Sequence, residues 1–302
     1  MGRRAGRQGL QGGQVSVVPE VVWELDALVG EGPIWLSDEQ AVRFVDIKRG
    51  KLHKFVPATG ARETLEVGGL PSFIVPAADG GLLVGSELAV HRLEQDRLGT
   101  EVVTLDERSG NRVNDATVDG SGRLWLGTMD NAETEPTGWI WCLYRGQLHR
   151  YWGKAVVTNG PAASIGDRWL YVTDSVARTI WRFPLGPDPV LGGGEVFVQL
   201  SEQEGHPDGI VVDSEDCLWV GLWEGWGVRR YAPDGKLLLH VPFPCARVTK
   251  VAFGGPDLKT AYVTTACIGL DQSGREQQPL AGSLFAFPPP APGRVLPAVN
   301  LG

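Results

Sequence analysis

Residues 112–128 read Arg-Val-Asn-Asp-Ala-Thr-Val-Asp-Gly-Ser-Gly-Arg-Leu-Trp-Leu-Gly-Thr. This stretch spells two short strands around a turn. Ala116-Thr117-Val118 is a compact apolar run preceded by the polar pair Asn114-Asp115. Asp119-Gly120-Ser121-Gly122 supplies residues that tolerate positive φ or fold a side chain back onto the backbone. Leu124-Trp125-Leu126 is bulky in the way a pleated, half-buried surface accepts.

The unit recurs. An apolar run ending in a small or polar residue returns at Arg43-Phe44-Val45-Asp46, Leu82-Leu83-Val84-Gly85, Leu124-Trp125-Leu126-Gly127, Leu170-Tyr171-Val172-Thr173, Leu218-Trp219-Val220-Gly221 and Ala261-Tyr262-Val263-Thr264. With Phe44, Leu83, Trp125, Tyr171, Trp219 and Tyr262 as markers, the steps are 39, 42, 46, 48 and 43 residues. A several-stranded repeat of roughly 40–50 residues is the signature of a β-propeller, one blade per repeat. Six markers predict an all-β, six-bladed β-propeller. A β-sandwich or a pair of small β-domains is the competing architecture, but neither keeps such a period along a whole chain.

A second feature repeats with the first. At 11 to 13 residues before each marker stand Glu31, Ser72, Asn114, Asn159, Asp208 and the pair Thr249-Lys250. Blades are related by rotation about one axis, so residues at one offset converge if they open the innermost strands. Glu31, Asn159 and Asp208 then offer carboxylate and amide oxygens to a shared point at the mouth of the central channel. Such oxygens suit a hard divalent cation. Any one of them alone reads better as a residue satisfying backbone groups at a strand start; several at one blade offset reverse that preference.

Composition bounds the function. The chain has 302 residues, 41 Gly, 21 Pro, 11 Trp and a formal net charge of −8, enough for one large β domain. The acidic balance argues against a nucleic-acid partner, which needs a basic surface. No apolar run is long enough to span a membrane. Cys142, Cys217, Cys245 and Cys267 lack Cys-x-x-Cys spacing, which fits unpaired thiols in a reducing, cytoplasmic setting. Residues 1–13 read as a disordered basic tail, 14–288 as the propeller and 289–302 as a Pro-rich tail. Closed propellers stand alone, so a monomer or weak homo-oligomer is expected. Val15 to Glu24 is expected to close the ring by joining the blade that holds Ser283-Leu284-Phe285-Ala286-Phe287, and almost no helix is expected. A polar loop, 130–138, precedes a strand and is placed to cover a site. Serine-hydrolase, phosphate-loop and His-Glu-x-x-His motifs are absent. Of five histidines only His206 lies near the expected centre, where it reads as a rim residue.

Seven fragments in order, Gly30-Glu31-Gly32-Pro33-Ile34-Trp35, Arg112-Val113-Asn114-Asp115, Gly127-Thr128-Met129, Thr158-Asn159-Gly160, Tyr171-Val172-Thr173-Asp174-Ser175, Pro207-Asp208-Gly209-Ile210 and Ala252-Phe253-Gly254-Gly255-Pro256-Asp257-Leu258, together resemble the SMP-30/gluconolactonase family, which includes regucalcin and bacterial sugar lactonases. The resemblance spans roughly residues 20–287. It implies a six-bladed propeller with one divalent metal at the channel mouth, ligated by Glu31, Asn159 and Asp208. It also implies that Arg112 and Asn114 contact a small-molecule sugar lactone. Regucalcin-like members place a substrate-contacting glutamate three residues after Gly-Thr-Met. Here that position is Ala132, so the adjacent Glu133 is assigned to the substrate, with Asp130 nearby. Lys250 looks atypical for the sixth blade and either narrows the pocket or meets an anionic group.

The expected chemistry is ring opening of an aldonolactone such as a glucono-, xylono- or arabinonolactone. A cation can polarise the ester carbonyl and activate water. Asp208 is assigned a second role as general base, Arg112 stabilises developing negative charge, and Asn114 orients the substrate. An oxygen-rich site accepts Ca²⁺, Mg²⁺, Mn²⁺, Fe²⁺ or Zn²⁺. Two alternatives stay open: hydrolysis of another ester, a phosphotriester or a non-sugar lactone, and a non-catalytic metal-binding propeller.

Overall fold

A computed structural model describes residues 17–188 and 191–302. The assignment of 1–13 as a tail therefore lies outside the described residues. Six four-stranded antiparallel sheets follow one another around an axis. The innermost strands of blades one to six are Gly30–Leu36, Pro71–Pro76, Asn111–Val118, Thr158–Ala163, His206–Val212 and Val248–Gly254. Each touches the inner strands of both neighbouring blades, which closes the ring.

The opening stretch behaves as two strands around a turn. Ala116, Thr117 and Val118 pair with Leu126, Trp125 and Leu124. The turn is tied by Asp119, whose Oδ1 accepts from Ser121 N at 2.9 Å and Arg123 N at 3.1 Å. Its Oδ2 accepts from the buried Trp125 indole at 2.7 Å. Blade five repeats the device, with Asp213 Oδ2 accepting from Trp219 Nε1 at 2.9 Å. The aspartate thus serves two ends at once: it folds the turn and satisfies the one polar atom of the buried tryptophan.

The glycines that close two of the marker runs have a packing reason. A Cβ on Gly127 would lie 2.3 Å from Thr158 Oγ1, and one on Gly221 would lie 2.0 Å from the Thr249 carbonyl oxygen. At these points the second strand of one blade lies against the inner strand of the next. Apolar side chains fill the rest of each junction. Trp125, Ile140 and Cys142 of blade three meet Leu170, Val172 and Phe183 of blade four. Burial declines outward, and the outer strand Ala61–Glu66 is almost wholly exposed.

Closure occurs as expected. Glu20–Trp23 forms the outer strand of blade six, pairing Glu20 with Ala286 and Val21 with Phe285. The terminal strands therefore hold first and last blades together. One α-helix, Gln272–Gln277, interrupts the β architecture among the described residues, its N-cap Asp271 accepting from Gly274 N at 2.7 Å. The Pro-rich segment 289–302 lies across the turn end of the propeller. Its Val299 exchanges backbone hydrogen bonds with Pro76 and Ala78, Asn300 N donates to Gly122 O, and Gly293 N donates to Leu258 O. Ala291 and Val299 are buried. No helix among the described residues is long and apolar enough to cross a membrane, and all four cysteines are buried free thiols.

Candidate functional site

Every inner strand carries a register shift at the same place. The shifts fall between Glu31 and Ile34, Pro71 and Phe73, Val113 and Ala116, Asn159 and Ala162, Pro207 and Ile210, and Val248 and Val251. A bulge unpairs a residue and re-aims its side chain. Ser72, Asn114-Asp115, Asp208 and Thr249-Lys250 fall within the shifts, whereas Glu31 and Asn159 are the last paired residues before theirs. Gly32 and Gly160, each with positive φ, follow them and let those two bulges form.

The result is a cavity of about 340 Å³ at one end of the channel, lined by Glu31, Arg112, Asn114, Glu133, Asn159 and Asp208, among others. All six residues assigned from sequence therefore meet there. Glu31, Arg112, Asn114, Asn159 and Asp208 are buried, whereas Glu133 is exposed on the lip. Ser72, blade two's equivalent, does not line the cavity; its hydroxyl donates to Val113 O at 2.8 Å and supports the neighbouring strand.

A directed hydrogen-bond chain orders the polar wall. Arg112 Nη1 donates to Asn114 Oδ1 at 2.7 Å, and Asn114 Nδ2 donates to Asn159 Oδ1 at 2.9 Å. Asn159 Nδ2 donates to Ser175 Oγ at 3.0 Å, and that hydroxyl donates to Pro207 O at 2.7 Å. A guanidinium can only donate and a proline carbonyl can only accept, so both ends fix the direction of both amides. Asn159 Oδ1 is thereby held as an acceptor in the cavity that Asp208 also lines. His206 Nδ1 donates to Ser175 O at 2.8 Å, and its Nε2 faces Arg178 Nη2 at 3.5 Å. Both ring nitrogens are thus engaged at the rim.

The carboxylates are out of balance. Lys250 Nζ donates to Asp115 Oδ1 at 2.5 Å and Oδ2 at 2.7 Å, so Lys250 meets an anionic group. That pair sits between Asn114, which lines the upper cavity, and Ala116, which lines a second space of about 90 Å³ deeper in the channel. Glu31 and Asp208 have no cation within 4.0 Å among the described residues. Burial first, then the charge of Asp115, pushes Glu31 up to about 8. Burial, then Glu31 and Asp115, raises Asp208 well above the carboxylate range. Arg112 is lowered to about 10 by burial and stays a cation at neutral pH.

The donor set fits a divalent cation. Two buried, unanswered carboxylates and one oriented amide oxygen offer hard ligands and two negative charges. No three His, Cys, Asp or Glu side chains cluster among the described residues, so the amide is needed to complete a three-ligand set.

The loop after blade three's second strand is held by its own aspartate. Asp130 Oδ2 accepts from Thr134 N at 3.1 Å, Glu135 N at 3.0 Å and Thr134 Oγ1 at 2.9 Å. These backbone bonds lower Asp130 to about 2, and the side chain is spent on the turn. Glu133 lines the cavity in its place.

The comparisons with known proteins agree with this geometry. The family described as SMP-30/Gluconolactonase/LRE-like region matches residues 29–267. The chain belongs to this family. The SMP-30/gluconolactonase match spans all six inner strands, from Gly30–Leu36 to Val248–Gly254. A pentonolactonase of Haloferax volcanii is 33% identical over 88% of this chain and 92% of its own length. A 6-deoxy-6-sulfogluconolactonase of Pseudomonas putida is 31% identical over 88% and 93%. A crystal structure of a regucalcin from Agrobacterium tumefaciens, described as a calcium-binding protein, superposes with a TM-score of 0.89 at 27% identity, covering 94% of this chain and 98% of that one.

Three charged or hydroxyl-bearing cavity residues were not assigned from sequence. Lys48 and Arg247 line the cavity, but neither stands at the repeated offset. Ser175 orients Asn159 from the end of the adjoining strand; its signal was the Asp174-Ser175 pair within one of the seven fragments.

Proposed function

We propose that this chain is a divalent-metal-dependent lactonase that opens the ring of an aldonolactone of the glucono-, xylono- or arabinono- class. The observation that carries the reading is the pair of buried, unanswered carboxylates, Glu31 and Asp208, beside the oriented Asn159 oxygen. Relatives named as lactonases, a pentonolactonase and a 6-deoxy-6-sulfogluconolactonase, support the reaction class. The regucalcin neighbour described as calcium-binding supports the cation.

Glu31, Asn159 and Asp208 would hold the metal, which supplies Lewis acidity toward the ester carbonyl and toward water. Asp208, a buried carboxylate of the same cavity, would accept the proton of the attacking water. Arg112 donates to negative charge developing on the ring-opened oxygen, and its bonds to Asn114 and Asn131 keep the guanidinium from swinging away. Asn114 fixes Asn159 through Nδ2 and so positions the ligand set. Glu133, on the lip, accepts from sugar hydroxyls.

The test is a pH-stat assay of aldonolactones, with a phosphotriester as the contrasting ester, on chelated protein and after return of each of Ca²⁺, Mg²⁺, Mn²⁺, Fe²⁺ and Zn²⁺. Lactone turnover should vanish on chelation and return with at least one metal. Undiminished turnover in thoroughly chelated protein, or faster turnover of the phosphotriester, would sink the proposal.

A further inference from the structure

Lys48 lies in the short turn Ile47–Arg49 that follows blade one's second strand, and its side chain lines the cavity. Its Nζ donates to Asn131 Oδ1 at 3.0 Å. Arg112 Nε donates to the same oxygen at 3.2 Å. One neutral amide oxygen therefore holds two cations against each other on the cavity wall. Neither cation has a carboxylate within 4.0 Å among the described residues, whose ion pairs all involve other residues. Arg247 lines the same cavity; its Nε donates to Glu224 at 2.6 Å, while its buried Nη1 has no partner among the described residues.

Holding like charges together without a counter-charge is unfavourable unless a ligand supplies one. The electrostatics at Lys48 carry that mark: burial lowers its ammonium below the usual range, and the charge of Arg112 lowers it further. Glu133 and Glu87 act the other way at Lys48, but both are exposed, where salt and water screen them. At Arg112 the buried Glu31 and Asp208 act the other way too, and these are the carboxylates assigned to the cation.

We infer that this wall receives an anionic substituent, a carboxylate, sulfonate or phosphate, carried by the lactone away from its ester, and that Lys48 is the residue selecting for it. The inference rests on the lactonase reading for the identity of the ring. The anion itself is argued from the paired cations alone. Lys48 would hold the substituent's oxygens through charge-assisted bonds, with Arg112 adding positive charge behind it and Asn131 fixing the spacing of the two cations.

Two measurements test it separately from turnover. The first is the ratio of kcat/KM for gluconolactone 6-phosphate to that for gluconolactone. The second is the calorimetric affinity ratio of 6-phosphogluconate to gluconate. Both ratios should favour the phosphate in the natural protein and fall by roughly 10–100-fold in Lys48→Gln, the range expected for one lost bond to a charged group. Lys48→Arg should restore most of the preference, and added salt should erode the kcat/KM ratio. Ratios near one in the natural protein, or ratios that do not move in Lys48→Gln, overturn the inference. Equal hydrolysis of both lactones by both proteins removes the anion site and keeps the lactonase. A calorimetric preference without hydrolysis of either lactone does the reverse.

Discussion

The two halves of the central channel share the inner strands of blades one, three, four and five and could hardly differ more. The upper half is lined by Glu31, Arg112, Asn114, Asn159 and Asp208. The lower half is lined largely by Ile34, Val118, Ile210, Val251 and Phe253, and is bounded by residues 294–297 of the last segment. The change happens within two or three residues along each strand, at the bulges. Below the bulge the strand alternates as ordinary pleated sheet and its inward side chains are core. At the bulge the pleat is broken, and polar residues are turned inward. A rigid, apolar lower barrel thus holds polar groups that would repel one another if free to move.

The contrast predicts where function can be removed without removing the fold. The largest effect is expected in the upper half. Asp208→Ala and Asn159→Ala should each lower kcat for lactone hydrolysis by about a thousandfold or more, the scale of losing a principal electrostatic or ligand group. Thermal unfolding should stay cooperative, because neither side chain belongs to an apolar cluster. Retained activity in either variant would break the assignment of the upper half.

Next comes the boundary. Lys250 and Asp115 form a buried pair where polar and apolar halves meet. Taking one partner away leaves a buried charge alone, a loss of roughly 3–5 kcal/mol, whereas replacing both by apolar groups is often nearly neutral. Lys250→Met should therefore lower the denaturation midpoint sharply, and Lys250→Met with Asp115→Leu should recover most of it. If the single variant is as stable as the natural chain, the pair does not hold the two halves apart.

How much of this was legible in the sequence follows from the same geometry. The blades were legible because each repeat must bury Trp125, Trp219 and their equivalents against a neighbour, which fixes a period. Glu31, Asn159 and Asp208 were legible because rotation converts one repeated offset into one point in space. Lys48 was not, because it stands on a connecting turn whose distance from the marker is free to vary between blades. Asn131 and Glu133 belong to an insertion in a single blade, so no repeat could announce them. Asp130 was noted near the site, but the pattern gave no sign that it is consumed in capping its own loop. The short helix Gln272–Gln277 likewise sits in a variable connection, where Asp271 rather than any periodicity starts it.

The smallest effect is a slope rather than a loss, and it separates the halves by their response to pH. Glu31 in the folded chain binds its proton up to about 8, against an ordinary value near 4.5, and Asp208 is shifted in the same direction. Between those pH values the folded state binds more protons than the unfolded one, so stability falls as pH rises. A divalent cation bound at the same oxygens, as proposed, would replace the proton's charge and abolish the deficit. The chelated protein should therefore lose thermal stability progressively from about pH 4.5 to about pH 8. The rise in Tm on adding the metal that restores turnover should be smallest near pH 4.5 and largest near pH 8. In Asp208→Ala both the pH slope and the metal-induced rise should shrink, since one of the two raised carboxylates is gone. A metal-induced rise that is the same at both ends of this window would mean that the cation binds elsewhere than at Glu31 and Asp208.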